Sequence, residues 1–360
     1  MHLVTVLNTI AETSMPYNEF VLYRAKNDPS VSQTVLVCSG KIPDTVSRPD
    51  NVKIIVTGEN PVTIRKATKK ILNDARKNGD SVVFHLHQAA SAALFLTATR
   101  GLHVKHRSLF TMHTQYTALS KKNRIFNQIA VHLAAKTVCV SRPSYNAYPK
   151  KMRDKAGERM TEIVNGVDIS RIEQAVAGET KPQNDVAELV YVARIIPLKN
   201  HEFLLSVLKE LPDAKLLLIG ADASGDFSRK INEMGLSGRV EMAGLMPRDE
   251  VFRRIYRSDI YVSSSTVEGL PVSVLEAMCC SLPLVLSDID PHKEIADMGD
   301  FAVTLPFDKD DWVSALRRLI DMPHSERSAL GEKGRECALN HFSLKAMHDK
   351  YSAVYSSLAN

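Results

Sequence analysis

The sequence predicts an α/β protein built from two doubly wound parallel-sheet domains in tandem. A length of 360 residues is more than one core usually fills and suits two domains of ordinary size. Short apolar runs rich in β-branched residues alternate with amphipathic stretches, the pattern of parallel strands covered by helices. The alternation breaks at the polar segment Val176–Val186 and then restarts, so a second unit follows the first.

In the first half, Leu3–Leu7, Thr34–Val37, Val52–Val56, Val82–Leu86, Ser108–Met112 and Thr137–Val140 read as buried strands. Val62–Lys77, Ala89–Arg100 and Ala118–Ala134 read as helices between them. In the second half, Leu189–Val192, Lys215–Ile219, Arg239–Met242, Ile260–Ser263 and Pro283–Leu286 are the expected strands. His201–Lys209, Phe227–Met234, Val251–Tyr256, Val272–Cys280 and Asp311–Asp321 are the expected helices, and Ser325–Asn340 and Leu344–Leu358 close the chain. The expected domains are residues 1–167 and 168–341, with a last helix at about 342–360 packing back on the first. In such sheets ligands bind beyond the carboxyl ends of the strands, so the informative residues are those just after strands.

Composition narrows the class. With 44% hydrophobic and 24% charged residues the chain is neither disordered nor collagenous. No window approaches the roughly 18 consecutive apolar residues of a membrane helix. Met1–Pro16 lacks the pattern of a secretory signal, which points to the cytoplasm. The five cysteines are odd in number, scattered, and free of any C-x-x-C pair, so buried free thiols are expected and a zinc site is not. Residues 1–165 carry 24 Lys/Arg against 11 Asp/Glu, and residues 166–360 carry 22 against 30, net charges of +13 and −8. A basic half of this kind suits an anionic partner.

The segment from Ser263 to Met278, S-S-S-T-V-E-G-L-P-V-S-V-L-E-A-M, leaves a strand and enters a helix. Pro271 suits the first helical turn, where no amide donor is needed. Glu268 falls in the loop and Glu276 in the helix about a turn and a half in, so both carboxylates can face one crevice. Amides near Gly269–Val272 and the positive helix end favour an anion such as a diphosphate. Carboxylates accept hydrogen bonds from sugar hydroxyls. A loop glutamate is ordinarily just solvated. Glu276, flanked by Val274, Leu275, Ala277 and Met278, is a charge in an apolar helix and calls for a function.

This E-x7-E segment resembles the signature of the family 4 retaining glycosyltransferases of the GT-B fold. Tyr191-Val-Ala-Arg-Ile-Ile-Pro-Leu-Lys-Asn200 resembles the family's strand-loop with two cations, Arg194 and Lys199. Val240–Leu245, with Gly244, is similar to the turn that cradles the base. Ile163-Val-Asn-Gly-Val-Asp168 is similar to the crossing between domains, and Ser287-Asp288 to a later turn. The resemblance covers about residues 80 to 340. It implies two Rossmann-like doubly wound domains facing across a cleft, the first binding acceptor and the second a nucleotide-sugar donor.

It further implies that Arg194 and Lys199 hold the diphosphate, without metal, and that Glu276 binds the ribose hydroxyls. Glu268 contacts the transferred sugar, aided by the backbone at Gly269, Leu270, Pro271 and Val272. His113, in Phe110-Thr-Met-His-Thr114, reaches the donor sugar from across the cleft; a strand-end histidine is otherwise often only a satisfied hydrogen-bonder. The implied catalytic set is His113, Arg194, Lys199 and Glu268. The implied reaction retains configuration by front-face displacement, with the donor's phosphate taking the acceptor proton and no cofactor. UDP-sugars are favoured over GDP-sugars as donors.

One departure stands out. The family's Gly-Gly loop after the first strand is replaced by the glycine-free Asn8–Phe20, where Ser14, Tyr17 and Asn18 stand in as acceptor-side candidates. The expected acceptor is a glycan or lipid-linked glycan of cell-surface polysaccharide or lipopolysaccharide assembly. The basic runs Lys69-Lys70, Lys121-Lys122-Asn-Arg124 and Lys150-Lys151-Met-Arg153 suggest contact with an anionic membrane at its inner face. No aromatic interleaving accompanies them, so nucleic acid is not expected. A sugar-nucleotide epimerase and a non-catalytic sugar-nucleotide binder are the alternatives on the same fold.

Overall fold

The computed structural model describes residues 1–10, 16–39, 42–44, 46–182 and 186–359. They form two compact units, one of residues 1–165 with 344 onward, the other of residues 166–343. The C-terminal helix Leu344–Ala359 thus belongs to the first unit.

The first unit holds strands β1 (His2–Leu7), β2 (Ser32–Val37), β3 (Val52–Val56), β4 (Val82–His87), β5 (Ser108–Met112), β6 (Lys136–Cys139) and β7 (Met160–Glu162). They pair in the order β3-β2-β1-β4-β5-β6-β7, every pair parallel. Side chains alternate across this sheet. Phe84 and Leu86 enter the core that holds Ala92 and Phe95, while Val83 joins Leu109, Val138 and the helix residues Leu344, Met347, Tyr351 and Tyr355. His85 and His87 share the face of Val83, and His85 meets the hydroxyl of Tyr355 at 2.7 Å.

The second unit holds β8 (Ala187–Val192), β9 (Ala214–Ile219), β10 (Val240–Gly244), β11 (Ile260–Ser263), β12 (Leu284–Ser287) and β13 (Ala302–Leu305), in the order β10-β9-β8-β11-β12-β13. All of its pairs are parallel too. The order reverses between β1 and β4 in one sheet and between β8 and β11 in the other. Those are the positions where open α/β sheets leave a crevice for ligands.

Several elements differ from those expected. The helix expected from Ala118 begins at Lys121, because Ser120 caps it by accepting from the amide of Asn123 at 3.3 Å. The edge strands β7 and β13, three and four residues long, are too short to show a period. Arg142–Asn146, Lys150–Ala156, Ile169–Val176 and Asp290–Ala296 are further helices of five to eight residues, too short to show a clear helical period. Within the expected N-terminal loop, Pro16–Leu22 forms a π-helical turn. Tyr17 there is fully buried and donates its hydroxyl to the Ser47 carbonyl at 2.7 Å, so it is a core side chain rather than an open loop residue. Asn18 is half-buried, and Ser14 lies outside the described residues. All five cysteines are free, with Cys38, Cys139, Cys279 and Cys280 buried.

Candidate functional site

In the second unit the loops leaving β8 and β11 are stitched together at the reversal point. The Thr266 amide donates to the Leu198 carbonyl at 2.8 Å, and the Ser264 hydroxyl donates to the carbonyls of Lys199 and Asn200 at 3.0 Å each. Tyr191, fully buried on β8, reaches Ser265 Oγ at 2.6 Å and the Lys199 carbonyl at 3.2 Å. Burial, then the nearby Glu268 carboxylate, push its phenol well above the ordinary range. On this frame Lys199 Nζ pairs directly with Glu268 Oε1, which also accepts from Ser265 Oγ at 2.6 Å. A cation and an anion from two loops therefore meet at one point.

Arg194 stands on the first of these loops, exposed and without a partner among the described residues. The loop is held close to the sheet by Gly220. A Cβ on that glycine would lie 2.1 Å from the Ala193 carbonyl oxygen, so only glycine lets the two backbones approach. Gly220 N also donates to the carbonyl of Gly244 at 2.9 Å, and Gly244, at φ +68°, closes β10 in a conformation that favours glycine.

Beyond Glu268 the chain runs through Gly269, Leu270 and Pro271, all buried, into the helix Val272–Cys279. Pro271 occupies the cap position, one residue before the first helical turn. Glu276 lies within this helix at 1% exposure and pairs with Arg248, from the helix Arg248–Arg257. Burial raises its pKa, and Arg248 and then Arg171 pull against that shift. Its second oxygen, Oε2, is buried with no hydrogen-bond partner. Tyr261, whose hydroxyl donates to Ser273 Oγ at 2.8 Å, feels both carboxylates in addition to its own burial.

Of the residues singled out in this half, the structure brings Lys199 and Glu268 into contact. Arg194 lies five residues before Lys199 on the same loop, and Glu276 lies on the helix that the Glu268 loop enters. Sequence reasoning missed Tyr191 as the tie between the loops, and it missed Arg248. A signal for Arg248 existed: an arginine in the first turn of a helix opposes the helix dipole and needs another reason to be there.

In the first unit the reversal point carries Asn8, Gln88 and His113. The Asn8 amide donates to Gln88 Oε1 at 2.7 Å, and Gln88 holds φ +63°, a strained value for a non-glycine residue directly after a strand. His113, half-buried just past β5, makes a 2.7 Å N–N hydrogen bond through Nε2 to Nδ1 of His87. Burial lowers the His113 pKa to about 4, so the ring is neutral near pH 7.

Residues 174–337 match the family model of the glycosyl transferases group 1. Over that stretch the chain is similar to the group 1 glycosyltransferases. One phosphatidylinositol N-acetylglucosaminyltransferase subunit from Arabidopsis thaliana is 26% identical over 252 residues, 67% of this chain and 54% of that protein. The lipopolysaccharide core biosynthesis glycosyltransferase LpsE of Rhizobium meliloti is 25% identical over 175 residues, 48% of this chain and 51% of its own length. The chain thus spans about half the length of each of these relatives. The Anabaena HepE structure, in complex with UDP, superposes with a TM-score of 0.77 at 17% identity, covering 99% of this chain and 100% of that one. That likeness gives the fold as GT-B.

Proposed function

We propose that this protein is a group 1 glycosyltransferase that moves a sugar from a nucleotide diphosphate sugar, a UDP-sugar in preference to a GDP-sugar, to a glycan or lipid-linked glycan of cell-surface polysaccharide assembly. The observation that carries the reading is the Lys199–Glu268 contact at the β8/β11 reversal, with Arg194 on the same loop. Lys199 and Arg194 bind the diphosphate and stabilise it as it departs, which needs no metal ion. Glu268 then turns from Lys199 to the hydroxyls of the transferred sugar, next to the backbone of Gly269 to Val272. The unpartnered Oε2 of Glu276 suits a ribose hydroxyl, a donor that would satisfy a buried acceptor. Gly244 lines the base, and His113 contacts the transferred sugar. Asn18 and Ser14 remain acceptor-side candidates.

In the reaction the bond between the anomeric carbon and the phosphate oxygen breaks, and a bond to the acceptor oxygen forms on the same face. The acceptor proton passes to the leaving phosphate, so no side chain is required as base. This differs from glycosidases, which flank the bond with two carboxylates. HepE, whose structure holds UDP, supports the uridine donor, and the names of the Arabidopsis and Rhizobium relatives support a lipid or lipopolysaccharide acceptor. Among the described residues no helix is long and apolar enough to cross a membrane. Exposed Lys69, Lys70, Lys121, Lys122, Lys150 and Lys151 of the first unit supply the charge for peripheral contact with anionic lipid at the cytoplasmic face.

The test is a panel of UDP- and GDP-sugars by calorimetry, followed by turnover with a lipid-linked glycan and proton NMR of the product anomer. Tight UDP-sugar binding and a product with the donor's anomeric configuration are expected, with activity surviving EDTA. An inverted product, or activity lost to EDTA and restored by Mg²⁺, would overturn the mechanism.

A further inference from the structure

The first unit contains a histidine pair whose bonding is incomplete in one informative place. His85, His87 and His113 lie at the carboxyl ends of β4 and β5, and His85 and His87 are fully buried. His85 is satisfied at both nitrogens, by the Tyr355 hydroxyl and by Thr111 Oγ1, each at 2.7 Å. His87 is not. Its Nδ1 meets His113 Nε2 at 2.7 Å, with the two ring planes only 20° apart, but its Nε2 is buried with no hydrogen-bond partner.

Two imidazole nitrogens at this distance share a single proton. Both rings are neutral, since burial disfavours the cation in each. The proton between them therefore belongs to one ring, and each choice fixes both tautomers. If His113 donates, the proton of His87 must sit on Nε2, as a buried N–H with no acceptor. If His87 donates, its Nε2 is a bare acceptor beside the rings of Phe20 and His85, at 5.0 and 3.9 Å between centroids. A buried N–H without an acceptor is the rarer state in folded proteins.

We propose that His87 is the positioning residue for His113: it donates from Nδ1 to His113 Nε2 and so holds His113 as the Nδ1–H tautomer. The His113 ring bonds to the described residues through Nε2, which leaves Nδ1 as the atom to offer to a ligand. His113 then presents an N–H and no lone pair. It selects a ligand group that accepts, a hydroxyl or phosphate oxygen of the sugar nucleotide, and it cannot take the acceptor's proton. The assignment of a ligand to His113 rests on the proposed transferase reading, whereas the tautomer does not.

The experiment records long-range ¹H–¹⁵N spectra of the full chain labelled at histidine, with His113→Ala identifying the His113 signals. The wild type is expected to show His113 protonated at Nδ1, the minority form of free histidine, and His87→Phe to return it to the Nε2–H form. His87→Asn, which keeps an amide donor near the position of Nδ1, should restore the Nδ1–H form. In turnover, His87→Phe should lower kcat roughly tenfold with a smaller change in KM, and His87→Asn should recover most of it. A wild-type His113 protonated at Nε2, or a tautomer unchanged in His87→Phe, overturns the proposal even if the enzyme transfers sugar. The expected spectra in a protein that transfers none leave the tautomer standing and overturn only the ligand assignment.

Discussion

Replacing Arg248 by methionine tests the buried charge in the second unit. Glu276 is 1% exposed and Arg248 is its paired cation, so the change strands a carboxylate in the interior while keeping the packing of the arginine stem near Phe252. Breaking a buried pair typically costs about 3–5 kcal/mol. Arg248 is 23% exposed and Arg171 still acts on Glu276, so we expect the lower side, about 2–3 kcal/mol at pH 7. With a urea slope of about 2 kcal/mol per molar, the midpoint falls by roughly 1 M. Trp312 is the chain's only tryptophan and is buried in the second unit, so its fluorescence follows that unit specifically.

The pH dependence carries a definite sign. Burial raises the folded pKa of Glu276, and losing Arg248 raises it further. A carboxyl raised on folding penalises the native state once the unfolded carboxyl ionises, and the penalty is complete above the folded pKa. The loss in Arg248→Met should therefore shrink as pH falls into the ordinary carboxyl range. Adding Glu276→Gln to it should recover most of the stability at pH 7. An equal loss at pH 7 and in the carboxyl range, or no recovery in the double variant, would refute the electrostatic account.

Gly220→Ala should displace the Ala193–Arg194 backbone and weaken UDP binding about tenfold, since its Cβ has no room at 2.1 Å from a carbonyl; unchanged calorimetric affinity contradicts this. Lys199→Met should cut kcat by about 10²–10³ through loss of charge on the departing diphosphate, and a change confined to KM would deny it that role. The basic first unit should sediment with anionic vesicles at low salt and release as salt rises; binding insensitive to salt would rule out an electrostatic contact.

Much of the architecture was legible because buried parallel strands are nearly continuous apolar runs: Ser108–Met112 and Ile260–Ser263 stand where the sequence put them. The edges were harder, since Met160–Glu162 includes Thr161 and Glu162 and shows no continuous run. At the candidate site the sequence showed what lies along one segment, such as the spacing of Glu268 and Glu276. It could not show pairings across segments, because Lys199 finds Glu268 and Arg248 finds Glu276 only through the order of strands and helices. Tyr17 misled for a related reason. A tyrosine in a polar stretch looks available, yet a π-helical turn carries it inward to a carbonyl of a distant loop.

The return of the helix Leu344–Ala359 to the first unit has a consequence for how the protein is made. The second unit is complete once Ser343 has been synthesised, and the Val167 amide then meets the Phe342 carbonyl at 2.8 Å to close it. The first unit begins earlier but stays open, because Leu3, Val83 and Leu109 await Tyr351, Tyr355 and Leu358. In order of birth, the second unit should therefore mature before the unit that precedes it, reversing the usual sequence of vectorial folding. A stalled or clipped chain that lacks the last turns exposes the apolar face of the first sheet while its second half is already native.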